Sequence, residues 1–429
     1  MTTNAIGIDF GTTNSSIARC VEKANIELVR FPLLGETTNS YRSLLYLERH
    51  RQQSKSRLVS WTGPEGIEHY LSRDHAGRLI QSLKSFLTSR TLLATEVFGV
   101  RITIEELIAR ILRDLREKAQ NSFGVPITSA VAGRPVRFVG AETEEDNLFA
   151  EGRLRNAYRL AGFETVQFEM EPVAAAYYYE STLQQDELIL IGDFGGGTSD
   201  FSLIRVGPSI RRRGRTAEDL LGNAGVGVAG DAFDAKIVRH LVSPFLGAGT
   251  EMRSMNKVLP VPTWVYSKLE RWHHLSFLKA KDTMNMLASV KAQALEPHKI
   301  EALIHLVNED LGYRLHQAVQ RTKSALSEET TSRFCLFDGA IEIDAVALRS
   351  SFESWIADEL VAIEGCVDSL LRGSGVKPES VHRVFLTGGS SFVPAVRRIF
   401  ERRFGADRIR TGSEFTSVAQ GLALKASEV

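Results

Sequence analysis

The chain has 429 residues, which at about 150 residues per compact unit suggests roughly two to four of them. Lys+Arg and Asp+Glu both total 52, so the formal net charge is zero, which argues against a protein living on nucleic-acid phosphates, since that needs a basic surplus or a basic face. A 43% hydrophobic and 24% charged composition fits a globular chain with a sizeable core, not a disordered one.

Cys20, Cys335 and Cys366 are far apart and lack C-x-x-C spacing, so they read as small apolar core residues, not as a disulfide framework or zinc site. The first residues carry no basic n-region, and no stretch of about 18 apolar residues occurs, so no membrane span is expected. A reducing cytoplasm is the default compartment.

In chain order, Ala5–Phe10 predicts a buried strand, Gly11-Thr12-Thr13 a turn, and Asn14–Ala18 a second extended segment. Residues 40–100 are mixed and polar, with a helical stretch near Leu79–Leu87. An amphipathic helix runs from Ile104 to about Phe123, with Leu107, Ile108, Ile111, Leu112 and Leu115 on one face. Ile127–Ala132 reads as a strand and Asn147–Ala161 as a helix stopped by Gly162. Pro172 is a tolerated first-turn proline for the next helix.

The opening pattern then returns. Leu188–Phe194 predicts a strand, Gly195–Thr198 a turn, and Phe201–Ile204 another strand. Asp9-Phe10-Gly11 and Asp193-Phe194-Gly195 are the same tripeptide 184 residues apart, too long a period for a solenoid and suited to two duplicated domains. Residues 215–330 read as largely helical, with amphipathic runs over Ser267–Ala294 and Leu311–Leu326. Val384–Thr387 predicts a strand, Pro394 opens a helix, and Ser417–Lys425 forms the last one.

The two hairpins carry chemistry. A Gly/Thr turn can bring backbone N–H groups and hydroxyls against one anion. An acid at the strand end (Asp9, Asp193) would repel that anion unless a divalent cation and its water shell lay between. The pairing therefore points to a Mg-nucleotide. A Walker loop is excluded because Gly-Lys never occurs. Gly225-Val226-Gly227-Val228-Ala229-Gly230 matches G-x-G-x-x-G, but Thr216–Asp219 before it is no buried strand; it reads as a flexible loop capping a helix that begins near Asp231.

Four segments together resemble the seventy-kilodalton heat-shock chaperones (DnaK-type). Ile6–Ser15 resembles their first phosphate motif and Glu171–Ala176 their connecting motif. Asp193–Asp200 resembles the second phosphate motif, and Thr387–Pro394 the adenosine motif. Order and spacing agree over residues 5–425, and the likeness is to the short bacterial homologues. The resemblance implies a duplicated α/β fold, the actin-like (ribonuclease H-like) ATPase fold, with two lobes around a nucleotide cleft. Lobe I would be 1–185 with 411–429 returning to it, and lobe II 186–410, with insertions near 40–120 and 229–335.

It also implies roles. Gly11, Thr12, Thr13 and Asn14 would hold the β/γ-phosphates of ATP, together with Gly195, Gly196, Gly197 and Thr198; Asp9 and Asp193 would hold Mg2+ through water. Glu171 and Asp200 would orient the attacking water, and Lys84 matches the catalytic lysine. Gly230, Lys323, Ser327, Gly388, Gly389 and Ser390 would contact the nucleoside. Departures fall in the base pocket: Gln320 stands for a usual Glu, Phe392 for an Arg, and Phe415 for an Asp. Pro135 and Arg155 match positions that pass nucleotide state to a peptide-binding domain. No β-rich peptide-binding domain follows within 429 residues, so clamp-and-release chaperoning by this chain alone is not expected.

The implied activity is slow ATP hydrolysis driving lobe closure, coupled to an unidentified protein partner. The alternatives are a nucleotide-gated actin-like filament subunit and a nucleotide-binding pseudo-ATPase. Arg211-Arg212-Arg213 with Arg215 reads as a solvated loop rather than an RNA site, and His273-His274 lack a ligand partner at metal spacing.

Overall fold

The computed structural model describes residues 5–22, 25–33, 36–52, 55–72, 77–180, 183–255, 257–271, 275–411 and 417–427. They gather into two compact units. One is Met1–Ala229, Ala362–Ser391 and Arg398–Val429; the other is Gly230–Val361 and Phe392–Arg397. Among the described residues no helix is long and apolar enough to cross a membrane.

The first unit holds two sheets of the same design. In the first, β1 (Ala5–Phe10) pairs antiparallel with β2 (Asn14–Glu22), which pairs antiparallel with β3 (Asn25–Leu28). On its other side β1 runs parallel to β4 (Ser129–Arg134), and β4 parallel to β5 (Thr165–Met170). In the second, β6 (Glu187–Phe194) pairs antiparallel with β7 (Ser199–Val206), which pairs antiparallel with β8 (Leu220–Val226). Opposite, β6 runs parallel to β9 (Arg383–Thr387), and β9 to β10 (Ile409–Thr411). The repeated tripeptide thus occupies the same place in two equivalent sheets.

Helices repeat as well. α1 (Ile104–Phe123) and α2 (Glu144–Leu160) precede β4 and β5, and α3 (Glu171–Glu180) follows β5. α4 (Ala357–Ser374) and α5 (Pro394–Phe404) precede β9 and β10, and α6 (Ser417–Ala426) follows β10. α6 packs on β1 and β2, α3 on β6 and β7, and the two helices pack on each other. α1 begins at a capping box, Thr103 with Glu106, and ends at Gly124 in a left-handed conformation. Its buried face contains all five residues named from periodicity.

Three expectations change. The helix near Leu79–Leu87 is instead a strand, Gly77–Gln81, antiparallel to Leu44–Glu48, followed by a short 3-10 turn at Leu83–Phe86. Ser82, with φ 56°, separates the two and forbids a continuous helix. The run Ser267–Ala294 is broken into Trp264–Leu269, Leu275–Leu278 and Lys281–Gln293. Gly225-Val226 belongs to β8, so the G-x-G-x-x-G stretch starts in a strand and only Gly227–Ala229 is loop; the helix opens at Gly230.

In the second unit, helix Gly312–Glu328 packs on helix Gly230–Ile237 and on the hairpin Thr331–Asp338/Ile341–Leu348. That hairpin alternates buried and exposed residues and places Cys335 on its exposed face. Cys20 and Cys366 are partly buried. The core reading of the three cysteines therefore fails at Cys335.

Candidate functional site

β1 and β6 are mostly buried, and the penultimate residue of each, Asp9 and Asp193, is half-buried beside the turn. A Cβ at Gly11 would lie 2.2 Å from the Asn14 carbonyl oxygen, so only glycine closes the first turn. In the second turn the Gly195 N–H donates to the Thr198 carbonyl at 2.9 Å. Gly388, at φ 84°, approaches β6 so closely that a Cβ would stand 2.1 Å from the Phe194 oxygen. This seats the Gly388–Ser390 segment against the end of the second hairpin, with Ser391 Oγ donating to the Gly388 carbonyl at 2.7 Å.

Five ionisable groups meet at these strand ends. Lys84, on the 3-10 turn, donates from Nζ to Glu171 Oε1 at 2.5 Å, with both side chains buried. Glu171 is the first residue of α3. A Cβ at Gly133 would stand 3.1 Å from Glu171 Cγ and 3.7 Å from Asp9 Oδ1, so one glycine leaves room for both carboxylates. Asp193 accepts from Thr387 Oγ1 at 2.7 Å and faces Asp200 directly across the β6–β7 ladder. Asp200 Oδ1 accepts from the backbone N–H groups of Val136 (3.1 Å) and Arg137 (3.4 Å), and the carboxyl also bonds the Thr198 side chain.

Burial, then the charge of Glu171, holds Asp9 well above the ordinary carboxylate range. The same two causes push Asp193 up to about 6 and Asp200 up to about 8. Three protonatable carboxyls against one lysine form a site short of positive charge. Among the described residues no group of three or more His, Cys, Asp or Glu could hold a metal by itself. The donor set still fits Mg2+: it offers only hard oxygens, and that ion keeps several waters.

In the second unit, Lys323 Nζ pairs with Asp234 Oδ1 at 2.7 Å and donates to the Gly230 carbonyl at 3.4 Å. Ser327 Oγ donates back to the Lys323 carbonyl at 3.1 Å. Gln320 lies one turn earlier on the same helix, and Phe392 is 49% exposed. Phe415 and His273-His274 lie outside the described residues.

Sequence reasoning missed the Lys84–Glu171 pair, the Asp234 partner of Lys323, and Arg153. Arg153 is buried on α2, binds Glu105 through Nε at 2.5 Å, and donates from Nη1 to the carbonyls of Phe86, Leu87 and Ser89, each at 3.1 Å. Arg155 instead bonds Glu151 and the Val166 carbonyl, and Pro135 follows β4 just before the amides that meet Asp200. The basic cluster is not simply solvated: Arg213 pairs with Asp219, while Arg215 pairs with Glu180 at 3.0 Å and lies over the Tyr177 ring. Arg211 and Arg212 are exposed on the short helix Pro208–Arg213.

Two equivalent Gly/Thr hairpins, each closing beside an acid, with a buried lysine–glutamate pair at their strand ends, define a duplicated α/β fold of the actin-like class. The family described as "Hsp70 protein" matches residues 71–259 and 292–428. This chain belongs to that family. It is similar to the chaperone protein DnaK of Thermus thermophilus, 27% identical over 442 aligned positions. The match covers 98% of this chain and 60% of the relative's length.

Proposed function

We propose that this chain binds Mg-ATP and hydrolyses it slowly, with nucleotide-driven closure of two lobes (1–185 with 411–429, and 186–410) acting on a protein partner. The observation that carries the reading is the buried Lys84–Glu171 ion pair set among Asp9, Asp193 and Asp200. Phosphoryl transfer needs alignment and charge neutralisation more than covalent chemistry.

Gly11, Thr12, Thr13 and Asn14 on one hairpin, with Gly195, Gly196, Gly197 and Thr198 on the other, supply donors to the phosphates. Lys84 brings positive charge to the terminal phosphate. Glu171 and Asp200 align the attacking water, and Asp200 is held for this by the Val136 and Arg137 amides. Asp9 and Asp193 hold the hydrated cation, which when bound neutralises polyphosphate charge. Gly230, Lys323, Ser327, Gly388, Gly389 and Ser390 hold the nucleoside, and Phe392 offers a ring for base stacking.

Single-turnover hydrolysis of Mg-ATP tests the reading. Wild type should convert bound ATP to ADP and phosphate, and Glu171→Gln should bind ATP but turn it over at least about a hundredfold more slowly. Tight binding with no turnover by wild type would leave a nucleotide-binding pseudo-ATPase.

A further inference from the structure

The first hairpin is braced by a short strand, Tyr41–Arg42, in which Arg42 is the register partner of Asn14 and Tyr41 that of Ser15. Two further bonds fasten it. The Ser43 N–H donates to the Thr13 carbonyl at 2.9 Å, and the Ser15 and Ser43 hydroxyls lie 2.8 Å apart. Within this brace Arg42 Nη1 donates to Asn14 Oδ1 at 3.1 Å.

That contact has a chemical direction. A guanidinium only donates, whereas a carboxamide has one accepting and one donating end. With Oδ1 turned to Arg42, Asn14 is fixed as a donor through Nδ2, the end an anion requires. The guanidinium also carries a permanent positive charge to the turn end of the hairpin, where β1 contributes the acid Asp9. Lys84, the cation nearest the carboxylate cluster, is engaged by Glu171.

We propose that Arg42 is a positioning residue for the first phosphate hairpin. It orients the Asn14 amide toward the terminal phosphates of a nucleoside triphosphate and so raises preference for triphosphate over ligands without phosphates. The inference rests on the assignment of Asn14 as a phosphate donor.

The test is calorimetric binding of adenosine and of a non-hydrolysable ATP analogue with Mg2+ to wild type, Arg42→Met and Arg42→Lys. Arg42→Met should weaken the analogue about tenfold or more and leave adenosine unchanged. Arg42→Lys should recover part of the loss, and adding Asn14→Ala to Arg42→Met should cost little more, because the two act as one unit. A merely structural role would weaken both ligands equally and lower Tm. Equal losses, or unchanged affinities, overturn the inference; if Arg42→Met does not fold, the same comparison with Arg42→Lys decides. Wild type that binds neither ligand overturns the nucleotide reading itself, and this inference with it. Wild type that prefers the analogue, with variants that prefer it equally, overturns only the role of Arg42.

Discussion

Lys84 and Glu171, 87 residues apart in sequence, form a 2.5 Å ion pair with side chains 6% and 11% exposed. The pair joins a 3-10 turn to the first residue of α3. Such a pair is costly to break from one side, because the remaining charge stays buried without its counter-ion.

Lys84→Met should therefore act twice. Single-turnover hydrolysis should fall by roughly 10²- to 10⁴-fold, and unfolding free energy should drop by about 3 kcal/mol. The double variant Lys84→Met/Glu171→Gln should regain much of the stability and none of the hydrolysis. Urea titration and quenched-flow assays separate the two. Unchanged hydrolysis in Lys84→Met would remove the lysine from the mechanism.

Much of this arrangement was legible in sequence because it is local. An apolar run ending on Asp and a Gly/Thr turn specifies strand, turn and acid within ten residues, and it occurs twice. The Leu79–Leu87 stretch misled because its strand partner, Leu44–Glu48, is remote and five residues cannot display a period. Glu105 and the three carbonyls bound by Arg153, like Arg42 beside Asn14, are brought together only by tertiary folding. No motif spacing encodes them.

The raised carboxyls predict a pH dependence. Unfolded aspartates titrate near about 3.9, while folded Asp193 titrates at about 6 and Asp200 at about 8. Between these limits the folded chain binds protons the unfolded chain has lost. Its stability contribution is thus fully present below about pH 4 and lost as pH rises through 6 and then 8. Asp146, Asp219 and Asp344 have lowered values, so their contribution is lost only on acidification below the ordinary range. Calorimetric Tm in Mg2+-free buffer should therefore fall from pH 5 to 8. Asp200→Asn should flatten the upper part of that decline; an identical slope in the variant would refute the assignment.

Arg153 offers a separate handle on Lys84. Its Nη1 ties the carbonyls of Phe86 and Leu87, at the end of the lysine's own turn, and of Ser89 just beyond it. Arg153→Ala would leave Glu105 and the Leu87 and Ser89 carbonyls without the Arg153 donor, Phe86 keeping the Ser89 N–H, a cost of about 3 kcal/mol. On the proposed reading it should lower kcat more than it raises KM, since the other phosphate and nucleoside contacts are assigned to the two hairpins and the second unit and only the lysine is displaced. Arg153→Lys cannot span three carbonyls and should recover little. Equal kcat in wild type and Arg153→Ala would limit Arg153 to stability alone.

Two glycines set how closely the duplicated halves pack. A Cβ at Gly421 on α6 would lie 1.7 Å from the Ala174 carbonyl of α3, and one at Gly7 on β1 would lie 2.3 Å from the Ala423 nitrogen of α6. In both cases the obstacle is backbone, which cannot turn aside as a side chain can. Gly421→Ala must therefore push α6 off α3, and a loss above about 3 kcal/mol is expected. Gly365, exposed on α4, is the control: a Cβ added there would meet nothing within 4 Å. There alanine only removes unfolded-state entropy, so Gly365→Ala should stabilise by about 0.5–1 kcal/mol. Chemical denaturation of the two variants should give opposite signs, and a neutral Gly421→Ala would mean that α3 and α6 can separate without cost.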